Sequence, residues 1–206
     1  MEMNITIILI AITSIISLVA FQKHQWIERL IFYPYLIWRN KEWYRMLTGG
    51  LIHLDLTHLF FNMFVLYSFG SYIEVAFGQI FGEAGGLIYA AMYLLAIVLA
   101  DVWNLFKKRD DPNYRSLGAS GGVAAVLFSF ILIKPFGLLY LFFIPIGIPA
   151  FIFGGLYLAY SIYMAKRQSD NIGHLAHFTG AIFGFFFPVL LQPSLLIRFV
   201  QTLIGQ

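Results

Sequence analysis

No cysteine occurs among the 206 residues, which excludes disulfides and thiolate metal sites. Charge is also scarce. Asp, Glu, Lys and Arg make up 11% of the chain against 60% hydrophobic residues, a balance that a soluble domain of this size would struggle to carry. The formal net charge of +3 is small and sits between apolar runs, so nothing points to nucleic acid. Ser/Pro-rich linkers, low-complexity tracts and internal repeats are missing, and residues 1–206 read as a single domain. The opening "MEMN" has an acid and no Lys or Arg, and no small-x-small cleavage site follows, so the first apolar run is expected to stay as a helix.

What the chain does have is charge-free runs, at 4–22, 56–73, 84–100, 116–133, 135–165 and 171–197. Each is near or above the roughly 17–25 residues that a membrane-crossing helix needs. An all-α integral membrane protein with six crossings is expected. Pro145 and Pro149 interrupt the fifth run, so 135–144 is read as a loop or re-entrant piece and the fifth helix as starting near Pro149. The connection from about 22 to 50 mixes Lys23, Arg29, Arg39, Lys41 and Arg45 with Trp26, Phe32, Tyr33, Tyr35, Trp38, Trp43 and Tyr44. That composition suits a segment at the headgroup level of the bilayer.

Polar residues in the apolar runs are expensive and therefore informative. In 53–62, "HLDLTHLFFN", Asp55 is a good N-cap and places His58 and Asn62 four apart on one helix face. In 173–184, Gly173, His177, Gly180 and Gly184 fall on one stripe, where missing side chains let another helix approach closely. His174 lies off that stripe. In 118–121, "GASG", Gly118, Ser120 and Gly121 open an apolar run with a small surface of the kind such a stripe wants. From Ser120 to Ile133 a helix would be about 21 Å long, so the serine is expected below the membrane surface. With six crossings the second, fourth and sixth helices run the same way, and all these residues gather at one end.

Such a set has a chemistry. A serine hydroxyl becomes a nucleophile when a base takes its proton, and histidine titrates near neutrality. Ser120 and His177 are the candidate nucleophile and base. His58 and Asn62, with backbone N–H groups at Gly118 and Ser120, are candidate donors to an oxyanion. No acid is clearly placed to orient His177: Asp170 is two turns away, and Asp55 and Asp101 are expected elsewhere. The arrangement reads as a Ser–His dyad.

In "HLDLTHLFFN", "GASG" and "AHFTGAIFG", taken in this order, the chain resembles the rhomboid intramembrane serine proteases over nearly all its length from about Arg45. The resemblance implies a six-transmembrane-helix rhomboid-like bundle, cleavage of single-span membrane proteins near the membrane boundary, a helix-5 gate for substrate entry, and no metal or other cofactor. It also carries over Arg45, here in Tyr44-Arg45, and Glu74 as structural residues; Gly121, Gly173, Gly180 and Gly184 are read as structural for the close helix contact. One departure concerns Ala124, where many members have an aromatic ring that packs on the catalytic imidazole. The competing readings are an inactive rhomboid-like protein that binds or dislocates membrane clients, and a channel or transporter.

The expected setting is a prokaryotic cell (inner) membrane with the catalytic face outside, as the resemblance implies. Lys and Arg counts oppose this orientation. Eleven lie in the loops after the first, third and fifth helices, and only Lys134 and Arg198 on the other side. The expectation stands because several first-loop cations are interleaved with aromatics that would pack on protein and headgroups.

Overall fold

The computed structural model describes residues 4–140, 145–167 and 173–205. Asp170, residues 141–144 of the expected re-entrant piece and the first three residues lie outside them. Among the described residues the chain is almost wholly helical. Helix α1 (Ile5–Gln22) is capped by the side chain of Asn4. The first connection folds into α2 (His24–Leu30), α3 (Pro34–Asn40) and α4 (Arg45–Thr48). Then come α5 (Leu56–Phe81), α6 (Gly85–Ala100), α7 (Val102–Lys107), α8 (Ser120–Ile133), α9 (Ala150–Arg167), α10 (His174–Leu191) and α11 (Ser194–Leu203). Strands β1 (Leu138–Leu139) and β2 (Ile148–Pro149) form a small antiparallel pair that leads into α9.

Six crossings are not found among the described residues. Three helical stretches there are long and apolar enough to cross a membrane: Ile5–Gln22, the 52-residue stretch Leu56–Lys107 and His174–Leu191. A charge-free run is not the same as a helix. In 116–133 only 14 residues are helical, because the segment before Ser120 is non-helical and bonded to the first connection through Ser116. Two other runs belong to the single stretch Leu56–Lys107, and 171–197 breaks at Gln192 and Pro193 before α11. Helix α9 has 18 residues but dilutes its apolar character with Tyr157, Tyr160, Ser161, Tyr163, Lys166 and Arg167. The chain is an all-α, multi-pass integral membrane protein with fewer full-length spans than its apolar runs suggest.

Helix α8 forms the centre. Every residue from Gly121 to Leu132 is buried, as α5, α6, α9 and α10 surround it. Its closest neighbour is α10. A Cβ at Gly180 would run into the carbonyl of Gly121, and one at Gly184 into the backbone of Ala125. Two helices therefore meet backbone to backbone, the geometry that small residues permit in membranes. Ser129 Oγ donates to the Gly184 carbonyl at 2.7 Å and fixes the register. By contrast, α1 turns Ile8, Ile12, Ile15 and Leu18 outward, as a lipid-facing helix does.

Gly184→Ala is therefore expected to cost at least about 1–3 kcal/mol, because the obstacle is main chain and not a movable side chain. Gly155→Ala in α9, where an added Cβ meets nothing within 4 Å, should be neutral or stabilising by up to about 1 kcal/mol. Thermal unfolding of both variants in detergent checks the pair. Equal melting temperatures would rule out the close α8–α10 approach.

Candidate active site

Ser120 is the first residue of α8, and the strand leading to it is sewn to the first connection. Phe32 and Ser116 exchange both backbone hydrogen bonds at 3.1 Å. Gly118 N–H donates to the Gly49 carbonyl at 2.9 Å, and Ala119 N–H to His53 Nε2 at 3.4 Å. Gly118 has φ of +117°, and a Cβ there would sit 2.7 Å from His58 Cε1, so only glycine leaves room for that ring. These bonds also revise one expectation. The Gly118 N–H is spent within the scaffold, and of the two expected backbone donors only that of Ser120 remains.

His177 sits one turn before Gly180 on α10, so the close α8–α10 crossing carries its ring to Ser120. His177 Nε2 and Ser120 Oγ are 2.7 Å apart, a hydrogen bond. Both line a cavity of about 760 Å³ that also receives His58, Asn62, Gly118, Gly121 and Gly173. Asp55 Oδ1 accepts from His58 N–H at 2.7 Å and caps α5, as expected of that residue. Asn62 Nδ2 donates to the His58 carbonyl at 2.9 Å. An amide nitrogen has two hydrogens, so a second N–H is left for the cavity.

The rhomboid domain model matches residues 40–194. The chain belongs to the rhomboid family. It is similar to RHOMBOID-like protein 12, mitochondrial, of Arabidopsis thaliana, with 32% identity over 146 residues, covering 66% of this chain and 43% of that protein. It is also similar to the presenilin-associated rhomboid-like protein, mitochondrial, of Mus musculus and of Homo sapiens. Each is 32% identical over 148 residues, covering 69% of this chain and 36% of the relative. This rhomboid chain thus spans less than half the length of these curated relatives.

Three neighbours of the rhomboid site escaped the reading of the sequence. His53 is fully buried. Because Ala119 N–H can only donate, Nε2 accepts and Nδ1 carries the proton toward Ser17 Oγ at 3.0 Å; Ser17 in turn donates to the Leu51 carbonyl at 3.1 Å. The chain of bonds ties α1 to the residue before Ser120. Its sequence signal was a second histidine five before His58, overlooked because it lies outside the helix. Tyr157, on α9, lays its ring near-parallel to His177, with centroids 6.4 Å apart and planes at 25°. The ring missing at Ala124 is supplied by another helix, a long-range fact that spacing could not reveal. Asp101 was expected elsewhere, yet it lines the same cavity where α6 gives way to α7.

The remaining residues serve the frame. Arg45 is buried; its guanidinium donates to the Glu28 carbonyl at 2.8 Å and the Ile31 carbonyl at 3.0 Å and pairs with Glu42 at 2.5 Å. It staples the first connection. Glu74 accepts from Ile5 N–H, Thr6 N–H and Thr6 Oγ1 at 2.6, 2.9 and 2.7 Å, so it holds the start of α1 against α5. His174 is buried, edge-on to Tyr160 and to His177.

Burial, helped by the nearby His58 and opposed by Asp55, pushes the His53 pKa down from the usual 6.5 to about 3. Unfolding returns it to the ordinary value. Between those values the unfolded chain binds the extra proton. The stabilisation is full above about pH 6.5 and declines toward pH 3 at up to about 1.4 kcal/mol per unit. Melting temperatures from pH 7.5 to 4.5 should fall more steeply for the native chain than for His53→Gln. Parallel curves would mean that His53 takes up its proton while folded.

Proposed function

We propose that this rhomboid is an intramembrane serine endopeptidase that cleaves single-span membrane proteins. The observation that carries the reading is the 2.7 Å hydrogen bond between Ser120 Oγ and His177 Nε2 inside a cavity. Ser120 Oγ attacks the scissile carbonyl carbon and its proton passes to His177 Nε2. The resulting oxyanion accepts from His58, the second N–H of Asn62 and the Ser120 N–H. The C–N bond then breaks, and His177 returns the proton to the leaving amine. A water molecule, deprotonated by His177, attacks the ester carbonyl, releasing the new carboxylate and restoring Ser120.

His177 is half-buried, and packing orients its ring. Helix α10 holds the His177 backbone against α8, while Tyr157 covers the ring and is itself flanked by Phe128 and Phe153 at 5.6 and 6.1 Å. Ala124 is buried in the core, so a ring there would compete with existing packing.

Purified protein in detergent, incubated with generic single-span substrates, should cut them. Ser120→Ala and His177→Ala should each abolish cleavage without shifting the melting temperature by more than a few degrees. His58→Ala and Asn62→Ala should each retain activity reduced by about 100-fold or more, since other donors remain. Cleavage by Ser120→Ala would end the serine-protease reading, and client binding with no cleavage by the native chain would favour the inactive alternative.

A separate expectation concerns the stacking ring. Tyr157→Ala should lower kcat by about tenfold or more with little change in KM, and Tyr157→Phe should restore most of it. Unchanged kcat in Tyr157→Ala would show that the ring does not position His177.

A further inference from the structure

The cavity that holds Ser120 is mostly apolar, with Ile31, Phe32, Met46, Ile97 and Ala100 among its walls. Asp101 interrupts that surface. It follows Ala100, and a Cβ on Gly121 would collide with the Ala100 side chain, so this stretch lies against the first turn of α8, next to Ser120. Asp101 is half-buried and forms part of the cavity wall. Its immediate companions are neutral. Asn104 Nδ2 donates to Oδ1 at 2.9 Å and the Ser116 hydroxyl stands beside it.

No cation answers this carboxylate among the described residues. The one Lys or Arg on the cavity wall, Arg115, is held in a two-pronged bond by Glu28 at 2.8 and 3.0 Å. The other cavity acid, Asp55, spends its carboxylate on capping α5 and is exposed. A desolvated carboxylate with only neutral donors is costly, and an incoming cation relieves that cost. The energy is gained only when the substrate brings the charge.

We infer that Asp101 makes the site selective for substrates with a lysine or arginine adjoining the scissile bond, the cation entering the inner cavity to meet the Asp101 carboxylate. This inference rests on the protease reading above. Near the membrane boundary a basic residue is a natural feature of a single-span segment, because its stem lies along apolar walls while its head seeks a polar partner. The Asp101 cavity supplies such walls and one such partner.

The test uses the whole purified chain and synthetic single-span peptides that differ only at the two residues flanking the cut. Lys, Arg, Gln, Leu, Ala and citrulline are placed there in turn. At one of the two positions Arg and Lys should be cut with kcat/KM about tenfold or more above Leu and above citrulline, which copies the shape of arginine without its charge. In Asp101→Asn and Asp101→Ser the Arg-to-citrulline ratio should fall to within about twofold of unity. Equal cleavage of Arg and citrulline peptides by the native chain overturns the inference with no variant needed, as does a ratio that survives in either folded variant. If no peptide is cut and a fluorophosphonate fails to label Ser120, the protease reading itself falls and takes this inference with it. Cleavage without the charge preference removes only the role given to Asp101.

Discussion

Everything at the site depends on the absence of side chains where α10 crosses α8. Gly180 and Gly184 stand over the backbone at Gly121 and Ala125, and no larger residue could occupy either place without pushing the helices apart. His177 is three residues from Gly180 and Ser120 one residue from Gly121, so the separation of the two side chains is set by main-chain contact. In a bilayer this is a sound strategy, because lipid tails compete on equal terms with leucine for apolar surface, and close van der Waals fit and hydrogen bonds must hold helices together. The Ser129 to Gly184 bond adds the directional component. A side-chain interface could shift by rotamer changes, whereas backbone on backbone has no such slack.

The same economy governs the other side of Ser120. The segment 115–119 is tied to the first connection by a bond or pair at almost every step: Arg115 to Glu28, Ser116 to Phe32, Gly118 to Gly49 and Ala119 to His53. That connection is in turn fastened by Arg45, and α1 is anchored to α5 by Glu74. Many of the cations that weigh in the charge count are engaged in this way. Arg39 lies over the Tyr35 ring, Arg115 over Tyr33 and Lys108 over Tyr114, with centroid distances of 4.3, 4.7 and 5.3 Å. A cation already bound to an aromatic face and a carboxylate is a weaker vote in the positive-inside rule than one hanging free.

How much of this was legible depended on whether a feature was local. Caps and turns were: Asp55 at the head of α5, the break at Pro145 and Pro149, and the 14-residue length of α8 all follow from neighbouring residues. The glycine stripe predicted a close helix contact because its spacing is a helical period. The number of crossings was not legible, since charge-free sequence measures apolarity and not where a helix begins; 116–119 and 192–197 are apolar but lie outside α8 and α10. Pairings across long distances in sequence were likewise hidden. Nothing near His53 announces Ser17, and nothing near Asp101 announces that the cavity of Ser120 reaches it.

The pairing of Tyr157 with His177 has the widest consequence of these hidden contacts. Had the ring come from position 124, it would have been fixed on α8, the most buried helix. Carried on α9, it belongs to a helix with only Ala150, Gly154 and Ser161 fully buried and with Leu156, Tyr160, Ile162 and Tyr163 turned outward. Ser120 and the His177 backbone are thus set on and against the most buried helix, and the cover of the imidazole ring on a helix that meets the core through Phe151, Phe153, Tyr157 and Leu158. Any movement of α9 away from the bundle takes the ring with it. The orientation of the His177 ring is therefore coupled to the position of α9.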